Sequence, residues 1–239
     1  YNKSLQSITL PNTVEYIGRY AFFGCENLSK ITIPTCTEYI GRYAFNNTND
    51  LTVYFNASIL PLNLQENWDY GIKAYYVGFK NVYTDGDFEL ALLSNNCVAI
   101  TKYNGTQTSI DLNDLSVGTI VQIGGSAFKD SSVESIILPN TIKNIEKEAF
   151  ANTNIKSIVI PSSLEQVGDY AFYSSAIESI EFEDNSSLVK IGSYAFANTK
   201  LLNSIVLPKT LSYLGVGAFL DSSISSVTFV DGINLNTIN

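Results

Sequence analysis

Apolar residues fall into short runs along this chain. Leu28-Ser-Lys-Ile-Thr-Ile33, Val133-Glu-Ser-Ile-Ile-Leu138, Ile155-Lys-Ser-Ile-Val-Ile160 and Ile224-Ser-Ser-Val-Thr-Phe229 share the spacing apolar-x-x-apolar-x-apolar. Their last four residues alternate with period 2, which predicts a short half-buried strand in each. Pro11, Pro34, Pro139, Pro161 and Pro208 close several such runs. Proline has no N–H to give a ladder and so ends a strand.

Ala-Phe recurs at Ala21-Phe22, Ala44-Phe45, Ala127-Phe128, Ala149-Phe150, Ala171-Phe172, Ala195-Phe196 and Ala218-Phe219. Successive phenylalanines are 23, 83, 22, 22, 24 and 23 residues apart, so one long gap interrupts a regular repeat. Five residues before each Phe stands an aliphatic: Ile17, Ile40, Ile123, Ile145, Val167, Ile191 and Leu214. Four before it stands glycine (Gly18, Gly41, Gly124, Gly168, Gly192, Gly215), with Glu146 the exception. A turn former follows two residues after Phe, and a thiol or hydroxyl three after it: Cys25, Thr48, Ser131, Thr153, Ser175, Thr199 and Ser222.

Each unit reads as one coil with one short strand, a second brief extended piece at the aliphatic-glycine pair, and a tight turn or single helical turn at Ala-Phe. One coil cannot bury its own apolar face, but stacked coils can. Stacking predicts Phe over Phe and parallel strands about 4.8 Å apart. The glycines mark either a positive-φ position or crowded backbone. Glu146 argues that positive φ is not obligatory there. The Cys/Thr/Ser column is expected to satisfy turn backbone, one partner per hydroxyl.

Residues 56–108 break the period. Phe88–Leu93, a turn at Ser94-Asn95-Asn96 and Cys97–Tyr103 read as a β-hairpin. Solenoid ends expose strand edges and core, and need caps. The division expected is repeats over 1–55, a cap or connector over 56–80, a β-hairpin cap over 81–108 and a second repeat array over 109–239.

Composition narrows the function classes. Of 239 residues 45% are hydrophobic, which excludes a disordered acidic tail despite a net charge of -9. That acidity argues against nucleic acid as a partner. Histidine is absent, removing His-based triads and His-ligated metals. No apolar run is long enough for a transmembrane helix. Three cysteines are too few for a disulfide framework. A Cys25–Cys36 bridge fits the spacing without being required by it, and three free thiols are expected. The chain opens at Tyr1 without methionine, which reads as part of a longer protein.

Catalytic chemistry has little to draw on. Glu181, Glu183 and Asp184 cluster after one strand, and Asp85-Gly86-Asp87 lies in a turn. Neither has the ligand count of a calcium loop, and a solvated acidic turn explains both. No catalytic residue, metal site or cofactor is assigned. The alternation sends Ser7, Thr9, Lys30, Thr32, Ser135, Ile137, Ser157, Val159, Ser179, Glu181, Ser204, Val206, Ser226 and Thr228 outward from the strands. This small-residue, hydroxyl-rich face is the candidate binding surface, with Ile137, Val159 and Val206 as an apolar column and no aromatic anchor. Such residues also simply suit an exposed sheet. Trp68, Tyr70, Tyr75 and Tyr76 are candidate aromatic contacts, or a plug on the first array. Tyr20, Tyr43, Tyr170 and Tyr194 form a further column two residues before Phe.

The stretch Leu10-Pro-Asn-Thr-Val-Glu-Tyr-Ile-Gly-Arg-Tyr-Ala-Phe-Phe-Gly-Cys-Glu-Asn-Leu-Ser-Lys-Ile-Thr-Ile-Pro34 resembles the BspA-type leucine-rich repeat of bacterial surface proteins, also found in some parasitic protists. The resemblance covers about residues 1–55 and 109–239. It implies an α/β, mostly β solenoid: a right-handed leucine-rich repeat superhelix of short parallel strands and short turns, 3-10 or single-turn helices. It further implies a curved, non-enzymatic, extracellular or cell-surface module that binds a host or matrix protein or glycan, its outward strands on the concave face. A spacer or self-associating stalk of a larger surface protein is the alternative.

Overall fold

The computed structural model describes residues 2–57, 60–61, 63–65, 67–230, 232 and 235–238. The chain forms two compact units, 1–82 with 91–96, and 83–90 with 97–239. In chain order the first holds β1 (Ser7–Ile8), β2 (Tyr16–Ile17), β3 (Lys30–Ile33), β4 (Tyr39–Ile40), β5 (Leu51–Phe55), β6 (Asn63–Leu64) and β7 (Ile72–Val77). The division then passes through β8 (Asn81–Asp85) and β9 (Phe88–Leu92). The second unit continues with β10 (Cys97–Tyr103), β11 (Ser109–Asp111), β12 (Thr119–Ile123), β13 (Ser135–Ile137), β14 (Asn144–Ile145) and β15 (Ser157–Ile160). It ends with β16 (Gln166–Val167), β17 (Ser179–Phe182), β18 (Lys190–Ile191), β19 (Ser204–Leu207), β20 (Tyr213–Leu214), β21 (Ser226–Phe229) and β22 (Thr237–Ile238).

Each unit is a mostly-β solenoid with two strand files. In the first, β1-β3-β5-β7 form one parallel sheet and β2-β4-β6 another. β6 and β7 lie within residues 56–80 and extend both sheets by a strand. In the second, β10, β12, β14, β16, β18, β20 and β22 follow in order as one file. The pairs β11-β13, β15-β17 and β19-β21 form the other, also parallel. Single 3-10 turns occur at Ser94–Asn96 and Leu112–Asp114, away from Ala-Phe.

The Ala-Phe segment is a run of interlocked turns. Ala21, Phe23 and Cys25 donate to the carbonyls of Gly18, Tyr20 and Phe22, three residues back in the same coil. The alternate residues Tyr20, Phe22 and Gly24 donate to Arg42, Ala44 and Asn46 of the next coil. Successive N–H groups thus point inward and along the stack by turns, so this non-strand segment still links coils as a ladder does. The geometry needs positive φ twice per coil. One position is the turn former after Phe, such as Asn47 at 62° and Asn198 at 60°. The other is two residues before Phe, where Tyr20, Tyr43, Tyr170 and Tyr194 sit at 55–58°. Bulky residues rarely adopt that conformation, and here the axial hydrogen bonds hold it.

The repeat glycines Gly41, Gly168, Gly192 and Gly215 are not among the positive-φ residues; they are crowded by the preceding coil. A Cβ on Gly168 would lie 2.7 Å from Glu146 C and Lys147 N. Glu146 is the non-glycine of this column, and it follows the coil with Gly124-Gly125.

The phenylalanines form a file in each unit. Phe22 and Phe45 stack at 5.7 Å, and Phe128, Phe150, Phe172 and Phe196 stack at 5.2 Å between neighbours. Further aromatics pack against these files. Trp68 meets Phe45 at 6.3 Å and Phe55 at 5.7 Å in the first unit. Phe88 and Tyr103, from β9 and β10, lie 6.4 and 5.4 Å from Phe128 in the second.

The hydroxyl column divides by partner, with Ser222 on the same side as the threonines. Thr48, Thr153, Thr199 and Ser222 donate to the carbonyl of the Phe three residues earlier, at 2.7–2.9 Å. The buried hydroxyls of Ser131 and Ser175 have no partner among the described residues, against the expectation of one each. Cys25, Cys36 and Cys97 are free thiols.

Candidate functional site

The outward strand face differs between the units. In the second, Ser109, Ser135, Ser157, Ser179, Ser204 and Ser226 occupy the same place in successive coils, all exposed. Register pairs Ser109 with Ser135, Ser157 with Ser179 and Ser204 with Ser226. Two residues on, Asp111 pairs with Ile137, Val159 with Glu181 and Val206 with Thr228. Ile137, Val159 and Val206 are 53%, 50% and 54% exposed, large values for aliphatic side chains on a sheet. Glu181 interrupts this apolar column. The face bears hydroxyls, and its strands pair two by two along the stack.

At one edge of this face lies a groove of about 580 Å³ lined by Glu181, Glu183, Asp184, Val206, Pro208, Lys209 and Val230 among others. It coincides with the longest repeat, 24 residues from Phe172 to Phe196. The extra length is taken up after β17, where other coils carry proline. Glu183 Oε2 accepts from Ser162 N at 2.8 Å, which ties the loop to the previous coil. Among the described residues no three His, Cys, Asp or Glu side chains converge as a metal-ligand set.

The first unit carries Ser7, Thr9 and Lys30 exposed and Thr32 half-buried. Beside them, on the neighbouring strands, aromatic rings cover one another. Tyr54 stacks on Tyr76 at 5.4 Å and meets Phe79 at 4.2 Å. The ammonium of Lys30 lies 4.9 Å from the Tyr54 ring and 5.6 Å from that of Phe79. Register places Thr32 beside Tyr54 and Tyr54 beside Tyr76, and these neighbours leave Tyr54 buried.

Two of the proposed aromatic contacts are overturned. Trp68 and Tyr76 are 7% and 2% exposed and cannot meet a partner. Trp68 is spent on the core against Phe45, Phe55 and Tyr75, and Tyr76 lies under Tyr54. Tyr75 is half-buried, packed edge-on to Phe55. Tyr70 is 61% exposed, edge-on to Tyr43.

The ionic pair Lys129–Glu148, 2.8 Å long, ties two neighbouring coils. Burial pushes the Glu148 carboxyl up, but the Lys129 hydrogen bond and charge, the Lys147 charge and the Ser126 hydroxyl outweigh it and hold the group below its ordinary value. Burial, then the Asp85 charge, pushes the Tyr83 phenol up. Among the described residues no helix is long and apolar enough to cross a membrane.

A family model described as a BspA type leucine-rich repeat region matches residues 1–64 and 121–239 in six copies. No curated protein matches the chain. Among solved structures it is similar to the pneumococcal vaccine antigen PcpA at 20% identity and a TM-score of 0.51, over 66% of this chain and 52% of that one. The chain thus spans about half the length of PcpA. A T. pallidum leucine-rich repeat protein aligns at 20% identity and a TM-score of 0.44, over 65% of this chain and 91% of that one. A leucine-rich cell surface protein of Faecalibacterium prausnitzii aligns at 18% identity and a TM-score of 0.31, over 98% and 66%. At these identities the likeness to PcpA bears on fold alone.

Proposed function

The chain belongs to the BspA-type leucine-rich repeat family, and from that premise we propose that it is a non-enzymatic, extracellular or cell-surface module that binds a macromolecule, a host or matrix protein or glycan, through the outward strand face of its second unit. The observation that carries this reading is the half-exposed aliphatic column Ile137, Val159 and Val206 within a file of serines. Aliphatic side chains raised from hydrogen-bonded strands supply apolar area for a partner. Serines beside them bond a partner's main chain without steric bulk. The acidic groove at Glu181, Glu183 and Asp184 favours a partner segment carrying positive charge.

The test is an array of extracellular-matrix proteins and glycans probed with the purified chain. Specific capture that is lost in Val159→Glu and Val206→Glu supports the reading, and no capture across the array sinks it.

A spacer or self-associating stalk is the second reading. Sedimentation velocity over a concentration series separates the two: a stalk grows in mass, whereas a monomeric binder does not.

A further inference from the structure

Tyr170 and Tyr194 stack at 4.9 Å and 17°, and Tyr173 stands edge-on to Tyr170 at 5.7 Å and 68°. Two stacked rings and a third nearly perpendicular to them form an aromatic corner. The stack ends because the next coil has Gly217 in the tyrosine column. A Cβ there would lie 2.7 Å from Tyr194 Cε1, so the ring reaches over space that a side chain would fill. One residue after Phe, the same three coils carry Tyr173, Ala197 and Leu220. Tyr173 and Leu220 are 38% and 52% exposed while Ala197 is buried, so a small floor lies between two tall walls. The resulting slot measures about 420 Å³, and Asn198 and Asp221 stand at its rim.

The rim is chemically ready for hydroxyls. Asn198 Nδ2 donates to Ser174 Oγ at 2.6 Å, which fixes the amide and leaves its oxygen for a ligand. The Asp221 carboxylate makes no hydrogen bond or ion pair among the described residues. Lys200 instead donates to the Asp221 main-chain oxygen.

The first unit carries a related slot. A slot there of about 370 Å³ is lined by Tyr20, Phe23, Tyr43 and Asn46. In that unit the guanidiniums of Arg19 and Arg42 lie 4.8 and 4.9 Å from the rings of Tyr20 and Tyr43, taking their faces. In the second unit the residues in the arginine column are Asp169, Ser193 and Val216, none of which can do so.

We propose that the Tyr170/Tyr173/Tyr194 slot binds a neutral hexose unit of a glycan. A hexose has a C–H face that packs on an aromatic ring and a hydroxylated edge that a carboxylate and an amide oxygen can accept from together. The slot volume falls in the range of small-ligand sites. A quaternary ammonium is the other ligand of aromatic corners, but the Lys200 ammonium already stands at Asp221 and disfavours a second cation. The slot is separate from the strand face, so either reading can fail alone.

The experiment is saturation-transfer NMR and calorimetry on the full chain with the methyl glycosides of glucose, galactose and mannose, cellobiose, lactose, and choline as the cation probe. At least one sugar binds with Kd on the order of 1–10 mM, the range for a dozen non-hydrogen atoms at ordinary ligand efficiency. Tyr173→Ala and Asp221→Asn each weaken it about tenfold or more. Asn is the residue used at the same positive-φ place in sister coils, so Asp221→Asn keeps the backbone. Ala197→Leu, filling the floor, abolishes binding. Absence of binding by every sugar overturns the proposal. So does sugar binding indifferent to Tyr173→Ala and Asp221→Asn, both rim changes that spare the core. Choline binding with the same variant sensitivity also overturns it, assigning the slot to cations.

Discussion

Phe150 and Phe172 stack at a centroid separation of 5.2 Å and an interplanar angle of 17°, one full coil apart. Phe172 has Phe196 on its other face, again at 5.2 Å, so both of its faces are covered by phenylalanine. Phe219 stacks on Phe196 at 5.8 Å and is only half-buried. Phe172→Ala should cost about 3–5 kcal/mol of unfolding free energy, because neighbouring coils cannot close on the void. Phe219→Ala should cost less than half of that. Urea midpoints at constant m check the pair. Equal losses would mean the file is not a continuous core.

The glycine column gives a contrast within one unit. A Cβ on Gly41 would lie 2.7 Å from the carbonyl carbon of Gly18 in the coil below, whereas on Gly18 the nearest atom is Tyr16 Cε1 at 3.7 Å. Gly41→Ala should destabilise by roughly 1–3 kcal/mol, the usual cost of overpacking. Gly18→Ala should be neutral or slightly stabilising, since it only restricts the unfolded chain. Thermal melts of the two variants decide it, and a neutral Gly41→Ala would refute backbone crowding as the reason for glycine.

The repeat, its strands and the Phe file were legible because apolar period and proline stops depend on local sequence alone. The tyrosine column's positive φ was not: nothing about Tyr20 or Tyr170 as residue types signals it, and only hydrogen bonds to the next coil produce it. Trp68 was ambiguous for a different reason. An aromatic that plugs a core and one that meets a partner look alike in sequence, and the difference lies in whether Phe45 and Phe55 face it. Tyr54 holds the strand position of Thr32 in β3, yet Tyr76 and Phe79 cover it, which alternation alone does not signal.

The hydroxyl column yields an opposite-sign pair. Thr153 Oγ1 donates to Phe150 O at 2.9 Å from a buried position. Thr153→Ala should cost about 1–2 kcal/mol, leaving that carbonyl one bond short. Ser175 buries a hydroxyl with no partner among the described residues. Ser175→Ala should therefore be neutral or stabilising, and Ser175→Thr stabilising by about 0.5–1.5 kcal/mol if the new hydroxyl reaches Phe172 O. Denaturant titration of all three suffices. A loss on Ser175→Ala comparable to that of Thr153→Ala would show that both hydroxyls are equally engaged.

The strand face predicts a separation of binding from stability. Val159 and Val206 are half exposed, so replacing either by Glu removes no core contact. Such surface changes usually stay within about 0.5 kcal/mol. Binding to any partner captured on the matrix array should nevertheless fall about tenfold or more, because a charge would be buried against the partner. Surface plasmon resonance beside a thermal melt reads both. Retained binding would move the contact elsewhere.

Glu148 ties stability to acid pH. Its carboxyl is held below the ordinary value of 4.5: burial alone would raise it, but the Lys129 bond and charge, with help from Lys147 and Ser126, prevail. A group whose folded pKa is depressed contributes stability above its unfolded value and loses it as pH falls through the folded one. Lys129 and Glu148 keep 35% and 30% of their side-chain surface in water, so solvent screening limits the pair. Wild type should exceed Glu148→Gln by about 0.5 kcal/mol at neutral pH, the size of a partly exposed ion pair. Gln keeps the length and backbone preference of Glu, so the comparison isolates the charge. The gap should begin to close as pH drops below 4.5 and vanish once the folded carboxyl is protonated. Neutral-pH melts in about 1 M salt should narrow the same gap, since the Debye length there is near 3 Å. A difference constant from pH 7 to pH 2 would mean that Glu148 acts through packing and that its charge contributes nothing.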